Sequence, residues 1–298
     1  LLTKRSAHPK RTRDSEPLYH SYTGAGDTWA MDELFEFNSG VYVSDISIGV
    51  MEKYAILVGG GSTDASANFD AFENDLFEMY DTLKTTYDDW KDENIYCYLW
   101  DKTNAYNLRV DGQDTQLNIY AGLEEIALRI TEDDFFYFFE FSHGEVKTGN
   151  GEFITFPAVD TSYGQFSQWL AQTVMNRWAR SLFVFASCHS GHGISEIEEF
   201  GPLKNSIVIS ATRADEVGYV WVSGEHFRFF YTEGYGFLHS LKEGTSSISS
   251  AYESGHVAAN YYSPIRCSHP LLDDNSDGIG HENGDMGTDG DLAEYTWM

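Results

Sequence analysis

The sequence is short of cysteine, of positive charge and of long apolar runs, and each shortage excludes something. Its three cysteines, Cys97, Cys188 and Cys267, cannot all pair, so a disulfide framework is not supported. Lysine and arginine number 19 against 47 acidic residues, a formal charge of -28. Such a surface repels the phosphates of nucleic acids and of anionic membranes. No stretch approaches the roughly 18 uncharged apolar residues that a membrane helix needs. The glycine run Gly59-Gly60-Gly61 has neither the spacing nor the nearby lysine of a phosphate-binding loop, and reads as a turn.

What is present is the material of a globular core: 42% hydrophobic residues, 15% of the chain aromatic, over 298 positions. Residues 1–48 show no clear period, begin basic (Lys4, Arg5, Lys10, Arg11, Arg13) and read as an N-terminal extension or propeptide. The chain opens on Leu1-Leu2 rather than methionine, which leaves room for a preceding segment such as a secretion signal. Short apolar runs at 54–58, 95–99, 135–141, 182–186 and 207–211 read as buried strands. Helical periods fall between them at 71–87, 115–130 and 166–178. That alternation predicts one α/β domain over 49–270, with a mostly parallel central sheet flanked by helices. Cys97, inside the strand at 95–99, reads as a small buried hydrophobe.

Two of these strands end in chemistry. The run FFYFFEF at 135–141 is followed by Ser142, His143 and Gly144. The run at 182–186 is followed by Ser187, Cys188, His189, Ser190 and Gly191. In an open α/β sheet the C-terminal strand ends are where ligands bind. A thiol is a good nucleophile as its thiolate, and an imidazole can take its proton. His143 is the expected base and Cys188 the expected nucleophile. Gly144 allows close backbone approach, so its N–H and that of Cys188 are the expected oxyanion donors. A zinc site built from Cys188, His189, His192 and His143 is disfavoured, because adjacent Cys and His rarely converge on one ion.

Residues 271–298 form an acidic tail rich in Asp, Asn and Gly. Within it Asp273, Asn275 and Asp277, followed by Gly278, have the oxygen spacing of the first half of a calcium loop. The twelfth position is Gly284 where an EF-hand needs a carboxylate, so only a loop of another shape would fit, closed by Glu282, Asp285, Asp289 or Asp291. Calcium is the one cofactor the sequence suggests; catalysis itself would require none.

The ordered motifs resemble those of the caspase-fold, clan CD cysteine peptidases. Within that group they look like legumain-type peptidases with metacaspase-like features, from about Tyr54 to Gly278. The resemblance implies a caspase/hemoglobinase-like three-layer sandwich, with His143 and Cys188 as the catalytic pair. It also implies a specificity pocket for the residue before the scissile bond: Asn or Asp in legumains, Arg or Lys in metacaspases. Here the pattern departs. Ala186 stands where the families place an acid two residues before the cysteine, and no arginine occurs around 68–72. Asp75 matches the helix acid of the metacaspase pocket, and Asp215 or Glu216 could supply another. Acids without an arginine lean toward a basic residue on Coulomb grounds.

The expected function is a cysteine endopeptidase acting on a peptide or protein through a Cys188 thioester, with zymogen activation if the basic N-terminal stretch blocks the pocket. The alternatives are a legumain-type transamidase or ligase, and a catalytically silent caspase-like module that binds calcium. The acidic surface favours an extracellular or envelope location.

Overall fold

The computed structural model describes residues 35–36, 42–43, 51–60, 69–87, 89–100, 109–155, 158–220, 226–244, 246–261, 267–282 and 291–298. The chain divides into two units, Leu1–Met51 and Glu52–Met298. In the first, β1 (Phe35–Glu36) pairs antiparallel with β2 (Tyr42–Val43). The rest of the expected N-terminal extension lies outside the described residues.

The second unit is an α/β structure built on a six-stranded, mostly parallel sheet. Its strands are β3 (Lys53–Gly60), β4 (Ile95–Leu99), β5 (Phe135–Ser142), β9 (Arg180–Phe185), β10 (Ser206–Ser210) and β11 (Leu271–Asp273). Their spatial order is β11-β10-β9-β5-β3-β4. Only β11, drawn from the expected acidic tail, runs antiparallel to its neighbour β10. The chain goes from β3 outward to β4 and then returns past β3 to β5. That reversal of strand order makes the C-terminal ends of β3 and β5 the switch point of the sheet, where open α/β sheets bind ligands.

Both sheet faces are buried, and side chains alternate between them along each strand. On β5, Phe135, Tyr137, Phe139 and Phe141 join one core, while Phe136 and Phe138 join the other. The first core is closed by α1 (Phe69–Thr85), α5 (Phe237–Lys242) and α6 (Ile248–Asn260). The second is closed by α2 (Gln116–Ala127), α3 (Tyr163–Gln172) and α4 (His192–Glu196). Helix α1 turns Phe72, Leu76, Met79 and Leu83 inward, the i, i+4, i+7, i+11 stripe of an amphipathic helix. Thr115, Ser162 and Ser247 cap α2, α3 and α6, each accepting the N–H three residues on.

Between β5 and α3 the chain inserts an antiparallel three-stranded sheet absent from the sequence-based expectation: β6 (Gly144–Lys147), β7 (Asn150–Thr155) and β8 (Val159–Ser162). Thr148 and Gly149 make its two-residue turn, both at positive φ (52° and 91°), as a turn matching strand twist requires. Helix α3 starts earlier than its apolar period and stops at Gln172 rather than 178. Thr173 leaves helical geometry (φ -120°, ψ -83°) and Asn176 takes a positive φ, yet Val174 and Trp178 stay buried. The apolar period there marks burial, not helix. Among the described residues no helix is long and apolar enough to cross a membrane.

Phe138 is fully buried, its ring 4.2 Å from that of Phe166 and 5.9 Å from that of Phe185. Phe138→Ala is expected to lower unfolding free energy by about 3–5 kcal/mol in denaturant titration. Leu117→Ala, at a site 76% exposed, should change it by no more than about 0.5 kcal/mol. Similar effects at both sites would contradict this packing.

Candidate active site

The register of β5 on β9 brings together the strand ends that precede the two chemical residues. Glu140 pairs with Phe185, and the Ala186 N–H donates to the Glu140 carbonyl at 2.9 Å, just ahead of His143 and Cys188. The Gly144 N–H faces the Cys188 thiol and acts to lower it. A Cβ at Gly144 would lie 2.1 Å from the Cys188 carbonyl oxygen and 2.8 Å from Ser187 Cβ, so only glycine permits this approach. A second N–H, from Gly218 in the segment after β10, lies 3.4 Å from Cys188 Sγ. The His143 ring is half-buried and meets Phe72 edge-on, with centroids 4.9 Å apart.

Cys188 sits on a strained elbow. His189, the next residue, has φ 62°, a conformation costing about 1–3 kcal/mol that persists only where surrounding bonds impose it. Its N–H donates to the Glu216 carbonyl at 2.7 Å, and its Nδ1 donates to the Ala214 carbonyl at 3.0 Å. Ser190 N–H donates to Thr212 Oγ1 at 3.0 Å. Gly191 lies against the backbone of Arg213 and Ala214, so close that a Cβ would come within 2.4 Å. The loops after β9 and β10 are thus fastened together, and the thiol is presented from their junction.

Burial governs the electrostatics. It pushes the Cys188 thiol above its ordinary value; the Gly218 and Gly144 N–H groups work against that, and the carboxyl of Glu140 adds to it. Burial also holds His143 below the ordinary histidine value. Both shifts favour neutral forms, so the resting pair at neutral pH is a thiol and a neutral imidazole. Such a pair can transfer the thiol proton to the imidazole as sulfur attacks an electrophile.

The expected pocket residues go to different places. Asp75, fully buried on α1, accepts from His226 Nδ1 at 2.6 Å and from the Phe227 N–H at 2.8 Å. Burial pushes its carboxyl up to about 6 against those bonds. Phe227 in turn lies against Gly218, so Asp75 supports the wall that carries the second N–H on the thiol. Ala186 is fully buried in the core shared with α1. Asp215 is exposed and borders an open cavity with Arg213, Leu271, Gly280, His281 and Glu282. Glu216 has other partners: its Oε2 accepts the N–H groups of His269 at 2.9 Å and Arg213 at 3.2 Å, and its Oε1 bonds His269 Nδ1.

The loop carrying Asp273, Asn275 and Asp277 is held by its own backbone. Asp273 accepts N–H groups from Asn275, Ser276 and Gly278 at 3.3, 2.8 and 2.9 Å; Asn275 Oδ1 accepts from Asp277 and Asp277 Oδ1 from Ile279. Of the carboxylates expected to close a calcium loop, Glu282 pairs with Arg213. Asp285 and Asp289 lie outside the described residues. The described residues also bring Glu145, Glu152 and Asp160 within metal-ligating distance of one another, but Lys147 pairs with all three.

Sequence reasoning missed Glu140. It is fully buried at the end of β5, its Oε1 2.5 Å from Ser142 Oγ, and burial pushes it up to about 7. The signal was a single carboxylate interrupting an otherwise apolar strand.

No protein-family model matches the chain, and no curated protein matches it. Among solved structures it is similar to protein GSU0716 from Geobacter sulfurreducens, at 12% identity and a TM-score of 0.49, covering 74% of this chain and 93% of that one. A likeness at that level speaks to neither family nor activity.

Because burial raises the thiol, iodoacetamide labelling of Cys188, read by peptide mass spectrometry against pH, should have its midpoint above the roughly 8.5 of an ordinary cysteine. A midpoint well below that value would reveal a resting thiolate–imidazolium pair and contradict the neutral assignment.

Proposed function

We propose that this chain is a cysteine endopeptidase of the caspase and legumain type. One observation carries the reading: the glycine that follows a histidine packs against the backbone of a cysteine so closely that no side chain fits, where two adjacent parallel strands end. In this reading Cys188 Sγ attacks the scissile carbonyl carbon as His143 takes the thiol proton. The carbonyl π pair moves to oxygen, and the Gly144 and Cys188 N–H groups stabilise the resulting oxyanion. Its collapse expels the amine, which leaves with the proton from His143, and a thioester remains on Cys188. Water then attacks the thioester, His143 accepts its proton and returns it to the sulfur, and the carboxylic product departs. Every electron pair is accounted for without a redox partner.

Fixed N–H groups suit such a step, because they stand in place before charge develops and need no reorganisation in a site shielded from water. A thiol kept neutral at rest is consistent with it: the proton moves only when a substrate carbonyl gives the sulfur somewhere to bond. The specificity wall would include Phe227 and Gly218, braced from behind by Asp75.

The test is digestion of a mixed peptide library by wild type, Cys188→Ala and His143→Ala, read by mass spectrometry. Wild type should cut after a restricted set of residues. Each variant should lose about 10³-fold or more in kcat/KM. Unfolding free energy of Cys188→Ala should stay within about 1 kcal/mol of wild type, since its side chain is only partly buried. Cleavage by Cys188→Ala at the wild-type rate would overturn the reading.

A further inference from the structure

A second cysteine stands beside a second histidine just before β11, and nothing in the reaction above uses either. Cys267 is in no disulfide, and its Sγ lies 4.0 Å from His269 Nε2. That is a long contact, but bonds between reacting groups are often loose in a resting site and tighten when a partner arrives. Burial alternates along this segment. Ser268 and Pro270 are buried, while Cys267 and His269 are half-buried, so the thiol and the imidazole both keep access to solvent.

The imidazole is held from behind. One carboxylate, that of Glu216, clamps His269 twice: Oε2 accepts its backbone N–H at 2.9 Å, and Oε1 bonds its Nδ1. The same Oε2 accepts the Arg213 N–H at 3.2 Å, which ties the clamp to the loop after β10. The next residue is fixed as well, the Pro270 carbonyl accepting from the Tyr252 hydroxyl at 2.7 Å. A carboxylate only accepts, so the ring hydrogen belongs on Nδ1. The neutral ring then turns the lone pair of Nε2 toward the sulfur. A thiol, a base within reach of it and a third group orienting that base are the parts of an activated nucleophile.

We propose that Cys267, His269 and Glu216 form a second thiol site, whose substrate is a small-molecule disulfide and whose product is a mixed disulfide on Cys267. As His269 Nε2 takes the thiol proton, the Cys267 sulfur attacks one sulfur of the disulfide. The S–S bond breaks, its electron pair leaves on the departing sulfur, and that sulfur takes the proton from His269. Cys267 is oxidised, and the small disulfide is reduced to one free thiol and one bound one. Such exchange needs a thiolate, access to it and a carrier for the proton. It develops no oxyanion, whereas a carbonyl or ketone needs fixed donors facing its oxygen, as in the reaction proposed for Cys188. Glu216 is the positioning residue of this site and acts through the ring.

The experiment is the rate of mixed-disulfide formation on Cys267 with hydroxyethyl disulfide, read site by site by mass spectrometry on the full chain. The probe is neutral, so the formal charge of -28 neither attracts nor repels it. The reference is a synthetic peptide of residues 262–272, which carries the same cysteine and histidine without Glu216. At about pH 7 Cys267 of the protein should react about 10-fold or more faster than Cys267 of the peptide, and an equal or slower rate would overturn the proposal. His269→Ala should remove about the same factor, and an unchanged rate would overturn it too. For Glu216 the readout is the tautomer, which a merely structural role would not move. Nitrogen NMR should find the neutral His269 ring protonated on Nδ1 in wild type and shifted toward Nε2 in Glu216→Ala. A hydrogen on Nε2 in the wild type would contradict the orientation assigned to Glu216. Both wild-type measurements decide the matter where a variant fails to fold. Cys267 takes no part in the cleavage proposed above, so failure of the peptidase reading would leave this result intact.

Discussion

The close approach of Gly144 to the backbone of Ser187 and Cys188 is the constraint on which the site depends. It exists because β5 and β9 are parallel neighbours in a register that runs the two chains out side by side. A one-residue slip would turn every side chain of β5 to the opposite face, and the buried apolar faces forbid it. The aromatic packing of Phe136 and Phe138 on one side, and of Tyr137 and Phe139 on the other, therefore fixes the position of a glycine several residues away. Packing that gives stability also gives the site its geometry.

The same burial sets the chemistry. Removing water raises the thiol, lowers the imidazole and pushes the Glu140 carboxyl up to about 7. All three groups are driven toward uncharged forms, and the proposed reaction would develop charge where fixed N–H groups stand. The strained His189 elbow belongs to this arrangement: its cost is offset by bonds to Ala214 and Glu216, which couple the Cys188 loop to the loop after β10. Asp75 and Glu216 serve that frame as well, one bracing Phe227 and the other bracing His269.

The central strands were legible in the sequence because burial on both faces writes a continuous apolar run, and His143 and Cys188 follow such runs directly. The inserted sheet β6–β8 was not legible. Its strands are four to six residues long and partly exposed, so no period dominates. Strand β11 has three residues, too few for any pattern. The end of α3 was misread because Val174 and Trp178 remain buried after the helix stops. Side-chain partners were beyond reach for another reason. Asp75 meets His226 from 151 positions away, and nothing local announces it. Glu140 was visible as an anomaly in its strand, but the Ser142 and Ser187 hydroxyls that bond it were not.

The most direct test of the central claim is covalent capture by peptidyl ketone electrophiles of varied sequence, with the adduct located by mass spectrometry. The account predicts a single adduct on Cys188, formed about 100-fold or more slowly in His143→Ala, with the buried Cys97 untouched. Capture at an equal rate without His143, or adducts spread over the other cysteines, would contradict it.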